Sequence, residues 1–180
     1  MTRNERPAMD DHFLPDPADY ELRLAVRGPQ ATEELGRRAA GLLAGGEVIL
    51  LYGDLGAGKT CFARGLCQGL ETDLEAVSPT FTLVNTYVGR LRVLHLDFYR
   101  IGEEADLEDV GVSGILDEVW EGGAVVVAEW PERLLEVLGD LPRIDLLALP
   151  GPEPDSRVWH LRGYPDVPDG WRALWTEKDG

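Results

Sequence analysis

The stretch Gly53-Asp54-Leu55-Gly56-Ala57-Gly58-Lys59-Thr60 decides how this chain of 180 residues folds. It matches the pattern G-x-x-x-x-G-K-[ST] at every fixed position, and loops of this kind join a buried strand to a helix. The flanking residues fit that context, because a continuous apolar run at 48–52 precedes the loop and an apolar stripe at helical spacing follows over 58–70. The sequence therefore predicts a strand, a phosphate-binding loop and a helix in that order.

Each part of this loop has a chemical reason. Gly53, Gly56 and Gly58 allow the backbone to turn tightly and to direct successive amide hydrogens at one anion. The N-terminus of the following helix adds its positive end. Lys59 supplies a charge to the outer phosphates, and Thr60 offers a hydroxyl to Mg²⁺. The alternative is an ordinary glycine-rich turn, and the motif together with its strand-and-helix context argues against it.

A nucleotide site of this type also needs a carboxylate near the metal, usually at the end of a buried strand. Two residues qualify, because Asp97 follows the run 93–96 and Glu129 follows the run 124–128. One of them could hold Mg²⁺ while the other orients or activates the attacking water. A solvated carboxylate at a strand end is the alternative for each, and the spacing alone does not divide the two roles.

Three further features lie close to these residues in the sequence. The hydroxyls of Ser78 and Thr80 flank Pro79 and could sense the γ-phosphate or the metal, as a switch segment does. A proline turn that opens a strand is the alternative there. We interpret His95 as a strand residue rather than a ligand. Trp130 directly follows Glu129, so it could cover the site, although simple packing also explains it.

The rest of the chain reads as strands alternating with helices. We expect an N-terminal helix capped by Thr32, with an acidic first turn. The other expected elements are a hairpin over 82–88 and 91–97 with a two-residue turn at Gly89-Arg90, one or two short helices over 106–120, strands over 124–128, 143–149 and 157–161, and a short helix over 131–138. This pattern predicts the α/β class, as a P-loop NTPase-like three-layer sandwich with a mixed, mainly parallel central sheet that includes an antiparallel hairpin.

The amino-acid composition indicates how the chain is divided and which partners its charge disfavours. Residues 1–19 are predicted to be a flexible N-terminal arm, 20–163 the nucleotide-binding domain and 164–180 an irregular C-terminal tail whose tryptophans, Trp171 and Trp175, could dock on the body. The 33 acidic and 17 basic side chains give a net charge of -16, which disfavours unaided nucleic-acid binding. Without a signal peptide or an apolar run of membrane-spanning length, we expect a cytoplasmic protein with no membrane contact.

Five segments of the chain, taken together, resemble a known family. Five segments occur in this order: Gly53-Asp54-Leu55-Gly56-Ala57-Gly58-Lys59-Thr60, Ser78-Pro79-Thr80-Phe81-Thr82, His95-Leu96-Asp97-Phe98-Tyr99-Arg100, Leu107-Glu108-Asp109-Val110-Gly111 and Glu129-Trp130-Pro131-Glu132. Together they resemble the TsaE (YjeE) family of bacterial ATPases, over residues 31–162. One departure is Cys61, which follows Thr60 where a second hydroxyl is common.

The resemblance implies a role in making the N6-threonylcarbamoyl modification of adenosine 37 in ANN-decoding tRNAs. Family members bind ATP, associate with the TsaD–TsaB transferase pair and hydrolyse ATP so that the complex turns over repeatedly, and tRNA is then contacted only indirectly. By this resemblance Asp97 is the catalytic residue, and Thr60 and Glu129 are the Mg²⁺ ligands. The residues implied to bind ATP or ADP are Thr32, Gly53, Asp54, Leu55, Gly56, Ala57, Gly58, Lys59, Thr60, Ser78, Thr80, Trp130 and Arg157.

Two other functions compete with an ATPase that resets a partner enzyme. A small-molecule kinase is the commonest other role for a P-loop domain of this size, but it needs an acceptor pocket and usually an arginine-rich lid. The sequence has no arginine cluster, and the predicted hairpin takes the place of a helical substrate domain. A nucleotide-gated binding module that does not hydrolyse ATP is the third possibility.

Overall fold

The apolar runs of the sequence form the centre of one sheet. The computed structural model describes residues 14–77, 83–99, 107 and 111–177. The strands in this part of the chain are β1 (Leu22–Arg27), β2 (Val48–Tyr52), β3 (Val84–Val88), β4 (Arg92–Asp97), β5 (Ala124–Glu129), β6 (Arg143–Pro150) and β7 (Ser156–Tyr164). The α-helices are α1 (Gly28–Ala40), α2 (Lys59–Gly69), α3 (Val112–Trp120) and α4 (Asp169–Thr176).

The sheet has seven strands in the order β1-β7-β6-β2-β5-β4-β3. Its central strands are parallel, since β2 pairs in parallel with both β5 and β6, and β4 pairs in parallel with β5. The outer pairs are antiparallel, including the predicted hairpin of β3 and β4. Because β2, β4 and β5 point the same way, their carboxyl ends meet at one edge of the sheet. The predicted α/β class with a mixed sheet is confirmed.

Helices cover both faces of this sheet. One apolar cluster includes residues from α1, α2 and α4, among them Leu35, Phe62 and Trp171. A second cluster includes Leu116 and Val119 of α3 and lies on the opposite face. Both faces of the central strands are therefore buried, which explains why β2 and β5 read as continuous apolar runs rather than as alternating ones.

Helices α1 and α2 touch through their backbones. A Cβ added at Gly65 of α2 would lie 1.8 Å from the carbonyl oxygen of Glu33, and one added at Gly36 of α1 would lie 2.1 Å from that of Phe62. Glycine is required at such positions because any side chain would separate the helices. This contact fixes the axis of α2, and α2 carries the phosphate-binding loop at its N-terminus.

The N-terminal third of the chain differs from expectation in one wrong prediction and one omission. Thr32 does not cap α1, because the helix begins at Gly28 with Pro29 in its first turn, and Thr32 Oγ1 instead donates to the Gly28 carbonyl at 3.3 Å. Strand β1 was missed, although its side chains alternate between partly buried and exposed, as a strand's do. Among the described strands it is an edge strand, which pairs with β7.

The terminal segments also differ from expectation. The description of 164–180 as irregular is wrong for Asp169–Thr176, which forms α4 because Trp171, Leu174 and Trp175 share one apolar face. The suggestion that these tryptophans dock is confirmed, since both are buried and Trp175 Nε1 donates to the Trp159 carbonyl at 3.2 Å. In the predicted flexible arm, Pro17–Asp19 forms a 3-10 turn and Leu14 packs against the second cluster, whereas 1–13 lie outside the described residues.

Smaller corrections concern the loops. The turn between β3 and β4 has three residues rather than two, because Val88 pairs with Arg92. The helix expected over 131–138 shortens to a single 3-10 turn, Leu134–Glu136. The predicted domain limits of 20 and 163 stay predictions. None of the helices within the described ranges is long and apolar enough to cross a membrane.

Candidate nucleotide-binding site

The glycine-rich loop connects β2 to α2, as the sequence predicts. Gly53, Gly56 and Gly58 have φ values of 138°, 79° and 105°. Residues other than glycine rarely adopt this backbone conformation. A Cβ at Gly53 would also lie 2.7 Å from the carbonyl oxygen of Ala148 on β6. Helix α2 begins at Lys59, so its unpaired N-terminal amides face the loop. The backbone thus has the form of an anion-binding nest.

Lys59 is held inside this loop. Its Nζ donates to the carbonyl oxygens of Gly53 at 2.6 Å and of Asp54 at 3.1 Å, and it lies 3.8 Å from the centre of the Trp130 ring. The side chain is only 4% exposed, and this burial lowers the pKa of the ammonium, while the carboxylates of Glu129 and Asp97 act in the opposite direction. The loop therefore holds the Lys59 ammonium against backbone carbonyl acceptors.

Thr60 and Glu129 meet across the end of the sheet. Thr60 Oγ1 lies 2.9 Å from Glu129 Oε1 and 3.1 Å from Oε2, and it donates to this carboxylate. Glu129 is the last residue of β5 and is buried. A hydroxyl and a carboxylate are the hard oxygen donors that Mg²⁺ prefers, so the pair fits that ion. The described residues contain no group of three or more His, Cys, Asp or Glu that could hold a metal, and the other ligands would be phosphate and water oxygens.

Asp97 lies directly beside Glu129, since the two residues are register partners at the ends of β4 and β5. Its Oδ1 accepts a hydrogen bond from the Tyr99 amide at 3.0 Å. Asp97, Glu129, Lys59 and Thr60 line one cleft of about 510 Å³, so the fold brings both predicted carboxylates to the loop. A half-buried carboxylate here can orient a water molecule or accept its proton.

His95 is the residue whose role the sequence interpretation missed. It is a strand residue, as expected, but its Nε2 lies 3.0 Å from Glu129 Oε1 and its side chain is fully buried. The signal was the spacing to Asp97, because residues two apart in a strand share a face and His95 therefore lies on the same side as both carboxylates.

Trp130 closes the cleft behind Lys59. Its φ of 56° is unusual for a large side chain, and strained backbone of this kind clusters at functional sites. The ring is buried and also packs on Tyr99 at 4.9 Å between ring centres. The sequence left packing and coverage of the site as alternatives for Trp130. In this position the ring does both, because it packs on Tyr99 and lies over Lys59.

A smaller cleft of about 210 Å³ continues on the other side of the loop. It is lined by Thr32, Arg157 and Asp155 together with the loop glycines, Gly56 and Gly58. Arg157 donates to the Gly56 carbonyl at 3.4 Å, and Thr32 is buried beneath Gly58. The two residues that only the family resemblance suggested are thus adjacent to the loop. In the loop itself Ala57 is buried and Leu55 is 77% exposed, whereas Ser78 and Thr80 lie outside the described residues.

Comparison with known proteins identifies the family of the chain. The sequence model of the family described as threonylcarbamoyl adenosine biosynthesis protein TsaE matches residues 26–151. The chain belongs to this family. Every predicted site residue except Arg157 lies within the matched range. The resemblance to the TsaE family is therefore confirmed.

Two relatives and one solved structure show how far the similarity extends. A protein of Treponema pallidum named tRNA threonylcarbamoyladenosine biosynthesis protein TsaE is 42% identical over 117 residues, which are 65% of this chain and 84% of that protein. The Bacillus subtilis protein of the same name is 37% identical over 119 residues, covering 66% of this chain and 72% of the relative. The crystal structure of Bacillus subtilis YdiB superimposes with a TM-score of 0.62 at 27% identity, covering 85% of this chain and 90% of that one. The TsaE match thus includes the loop, the hairpin and the central sheet.

Proposed function

We propose that this chain is a Mg²⁺-dependent ATPase that acts in forming N6-threonylcarbamoyladenosine at adenosine 37 of ANN-decoding tRNAs. It binds TsaD-like and TsaB-like transferase proteins, and it hydrolyses ATP so that their complex can turn over repeatedly. Membership of the TsaE family supports the pathway. The observation that carries the ATPase activity is the convergence of Lys59, Thr60, Asp97 and Glu129 on one cleft.

The phosphates of ATP or ADP bind the amides of the loop at 53–60, and Lys59 compensates their charge. Thr60 and Glu129 hold Mg²⁺, which when bound neutralises charge on the phosphate oxygens. Asp97 orients the attacking water and accepts its proton. Contacts to the rest of the nucleotide come from Thr32, Arg157, Trp130, Ser78 and Thr80.

The charge of the chain supports a role through protein partners. A net charge of -16 repels a phosphate backbone, so tRNA is contacted only indirectly. The same charge favours a basic surface on the partner. The protein is then cytoplasmic, where the transferase and the tRNA are found.

Reconstitution with a TsaD–TsaB pair tests this function. We expect the chain to co-purify with the pair when ATP and Mg²⁺ are present, and to raise the yield of modified adenosine above one per transferase complex. Asp97→Asn is the matched control, which should bind but allow only about one turnover. Multiple turnover without the chain would contradict the proposal, and phosphorylation of a small acceptor would favour the kinase instead.

Replacement of Glu129 tests the metal site. Glu129→Gln retains the size of the side chain but loses its charge, so Mg²⁺-dependent binding of ATP should weaken by about 10–100-fold. Binding in EDTA should change little, because the loop amides and Lys59 are intact. Equal losses with and without Mg²⁺ would show that Glu129 is not a metal ligand.

A further inference from the structure

A fully buried histidine lies behind the carboxylate of Glu129. The Nε2 atom of His95 is 3.0 Å from Glu129 Oε1. A carboxylate oxygen accepts hydrogen bonds, so Nε2 carries a proton and donates it. The other ring nitrogen, Nδ1, has no hydrogen-bond partner in the part of the chain that the structure describes. Among the described residues, the His95 ring is therefore hydrogen-bonded to Glu129 alone.

Packing does not account for a histidine at this position. On the same face of the sheet, Val93 precedes it on β4 and Val127 is its register partner on β5, whereas its register partner on β3, Asn85, donates to the Val77 carbonyl and the Tyr87 hydroxyl. The Tyr87 ring also packs beside it at 6.3 Å, but the Tyr87 hydroxyl bonds to the backbone of Val77. A buried polar ring costs free energy unless it is hydrogen-bonded, and Nδ1 has no partner among the described residues, so the bond to Glu129 is what offsets the burial of this ring. What the histidine adds is the donor aimed at Glu129.

The carboxylate of Glu129 is held from two sides. Thr60 Oγ1 approaches both oxygens, at 2.9 Å and 3.1 Å, from the loop. His95 approaches Oε1 from within the sheet. A carboxylate that is fixed at one oxygen by a donor behind it has a defined plane, and its other oxygen remains directed at Thr60. Donors that hold a metal ligand in this way tune both its orientation and its affinity for the ion.

We propose that His95 is a positioning residue for the Mg²⁺ site, and that its Nε2–H fixes the carboxylate of Glu129 in the orientation that faces Thr60. This inference rests on the proposed function, because it assigns Glu129 as a ligand of Mg²⁺. It also explains the two-residue spacing of the His-x-Asp motif. Asp97 and His95 lie on one face of β4, with Asp97 in the cleft and His95 beneath Glu129.

Two matched variants test the hydrogen bond. In His95→Gln the amide nitrogen extends about as far as Nε2 and can still donate to Glu129, whereas in His95→Asn it extends only about as far as Nδ1. The measurement is binding of fluorescent ADP as a function of Mg²⁺ concentration, repeated in EDTA, with melting temperature as the check on folding. His95→Asn should raise the half-saturating Mg²⁺ concentration by about 10–100-fold, and His95→Gln by less than about threefold. Affinity for ADP in EDTA should be the same in all three proteins.

A double-mutant cycle separates positioning from a general structural effect. In a Glu129→Gln background, His95→Asn should cause no further change in the Mg²⁺ requirement, because the group that it acts through has been altered. A further tenfold change there, or equal effects of the Asn and Gln variants, would overturn the proposal. So would loss of cooperative melting in both variants, since the histidine would then be structural.

The proposed function can fail separately from this inference. If ADP binding by the unaltered protein shows no dependence on Mg²⁺, both are wrong. If the Mg²⁺ dependence and the difference between the Asn and Gln variants are as expected but the reconstituted transferase does not turn over repeatedly, only the proposed function is wrong.

Discussion

At the residue scale, Lys59 shows how the loop prepares a charge. Its ammonium donates to two carbonyl oxygens of its own loop, Gly53 and Asp54, and faces the ring of Trp130. Burial lowers the pKa of the group, and nearby carboxylates counter that effect. A bound phosphate therefore replaces neutral acceptors with a full negative charge. The gain in interaction free energy is large because the site is shielded from water.

The first prediction compares Lys59 with Asp97. Lys59→Ala should weaken ATP binding by about 10–100-fold, the equivalent of one strong charge-assisted hydrogen bond. Asp97→Ala should leave binding within about threefold and lower the hydrolysis rate in the transferase complex by about 100- to 10,000-fold. Equilibrium titration with a fluorescent nucleotide and single-turnover hydrolysis separate the two effects. Normal hydrolysis by Asp97→Ala in the complex would remove it from the mechanism.

Individual site residues differ in how far the sequence could identify them. The loop residues follow from a motif in which each position has a chemical purpose, and the loop indeed joins β2 to α2. Asp97 and Glu129 were identified as candidates because each ends an apolar strand. His95 was not, because its spacing to Asp97 shows only that the two share a face of β4, and its partner Glu129 is defined only when β4 and β5 are placed side by side.

At the scale of the elements, the backbone contact between α1 and α2 is the feature that orients the loop. Gly65 and Gly36 allow this contact, and in the sequence they resemble ordinary helix glycines. A glycine in a helix costs stability relative to alanine, so its presence at such a contact indicates close packing rather than helix preference.

The second prediction tests this contact with a matched pair of glycines. Gly65→Ala should lower the free energy of unfolding by about 2–3 kcal/mol, because the new methyl group would overlap the carbonyl of Glu33. Gly114→Ala is the control, since Gly114 is exposed on α3 with no atom within 4 Å of the added Cβ. It should raise stability by about 0.5–1 kcal/mol through helix propensity. Urea unfolding measures both, and equal effects would mean that the helices are not in backbone contact.

The third prediction concerns α4, which the sequence interpretation described as irregular. Trp175 is buried and bonded to the Trp159 carbonyl, whereas Trp120 at the end of α3 is 69% exposed. Trp175→Ala should therefore lower the free energy of unfolding by about 3–5 kcal/mol. Trp120→Ala should change it by less than about 0.5 kcal/mol. Denaturant unfolding checks this, and a small effect at Trp175 would restore the description of this segment as a loose tail.

There is a physical reason why the sequence did not reveal strand β1 and helix α4. Strand β1 and helix α4 are short and partly polar, and each is stabilised by what it packs against rather than by its own propensity. Helix α4 has 8 residues, below the length at which an isolated helix is stable in water. Its apolar face was visible in the spacing of Trp171, Leu174 and Trp175, but prolines and acidic residues nearby favoured a loop.

At the scale of the whole molecule, charge limits the choice of partner. The fourth prediction is that the isolated chain does not bind tRNA at physiological salt with a dissociation constant on the order of 1 μM or below, because a net charge of -16 repels the phosphate backbone. Filter binding or fluorescence anisotropy with tRNA tests this, with the TsaD–TsaB pair as the positive control. Micromolar binding by the chain alone would point to a basic surface and to direct contact with tRNA.

The sequence by itself determined the phosphate loop, the α/β class, the two buried strands that end in carboxylates and the family. These are local patterns, since each depends on a few neighbouring residues or on a period of two or 3.6 along the chain. The tertiary structure alone decided which groups meet: Glu129 with Thr60 and His95, Lys59 with the Trp130 ring, and Arg157 with Gly56. Those contacts join residues far apart in the chain, and their geometry depends on strand order, register and the close approach of α1 and α2.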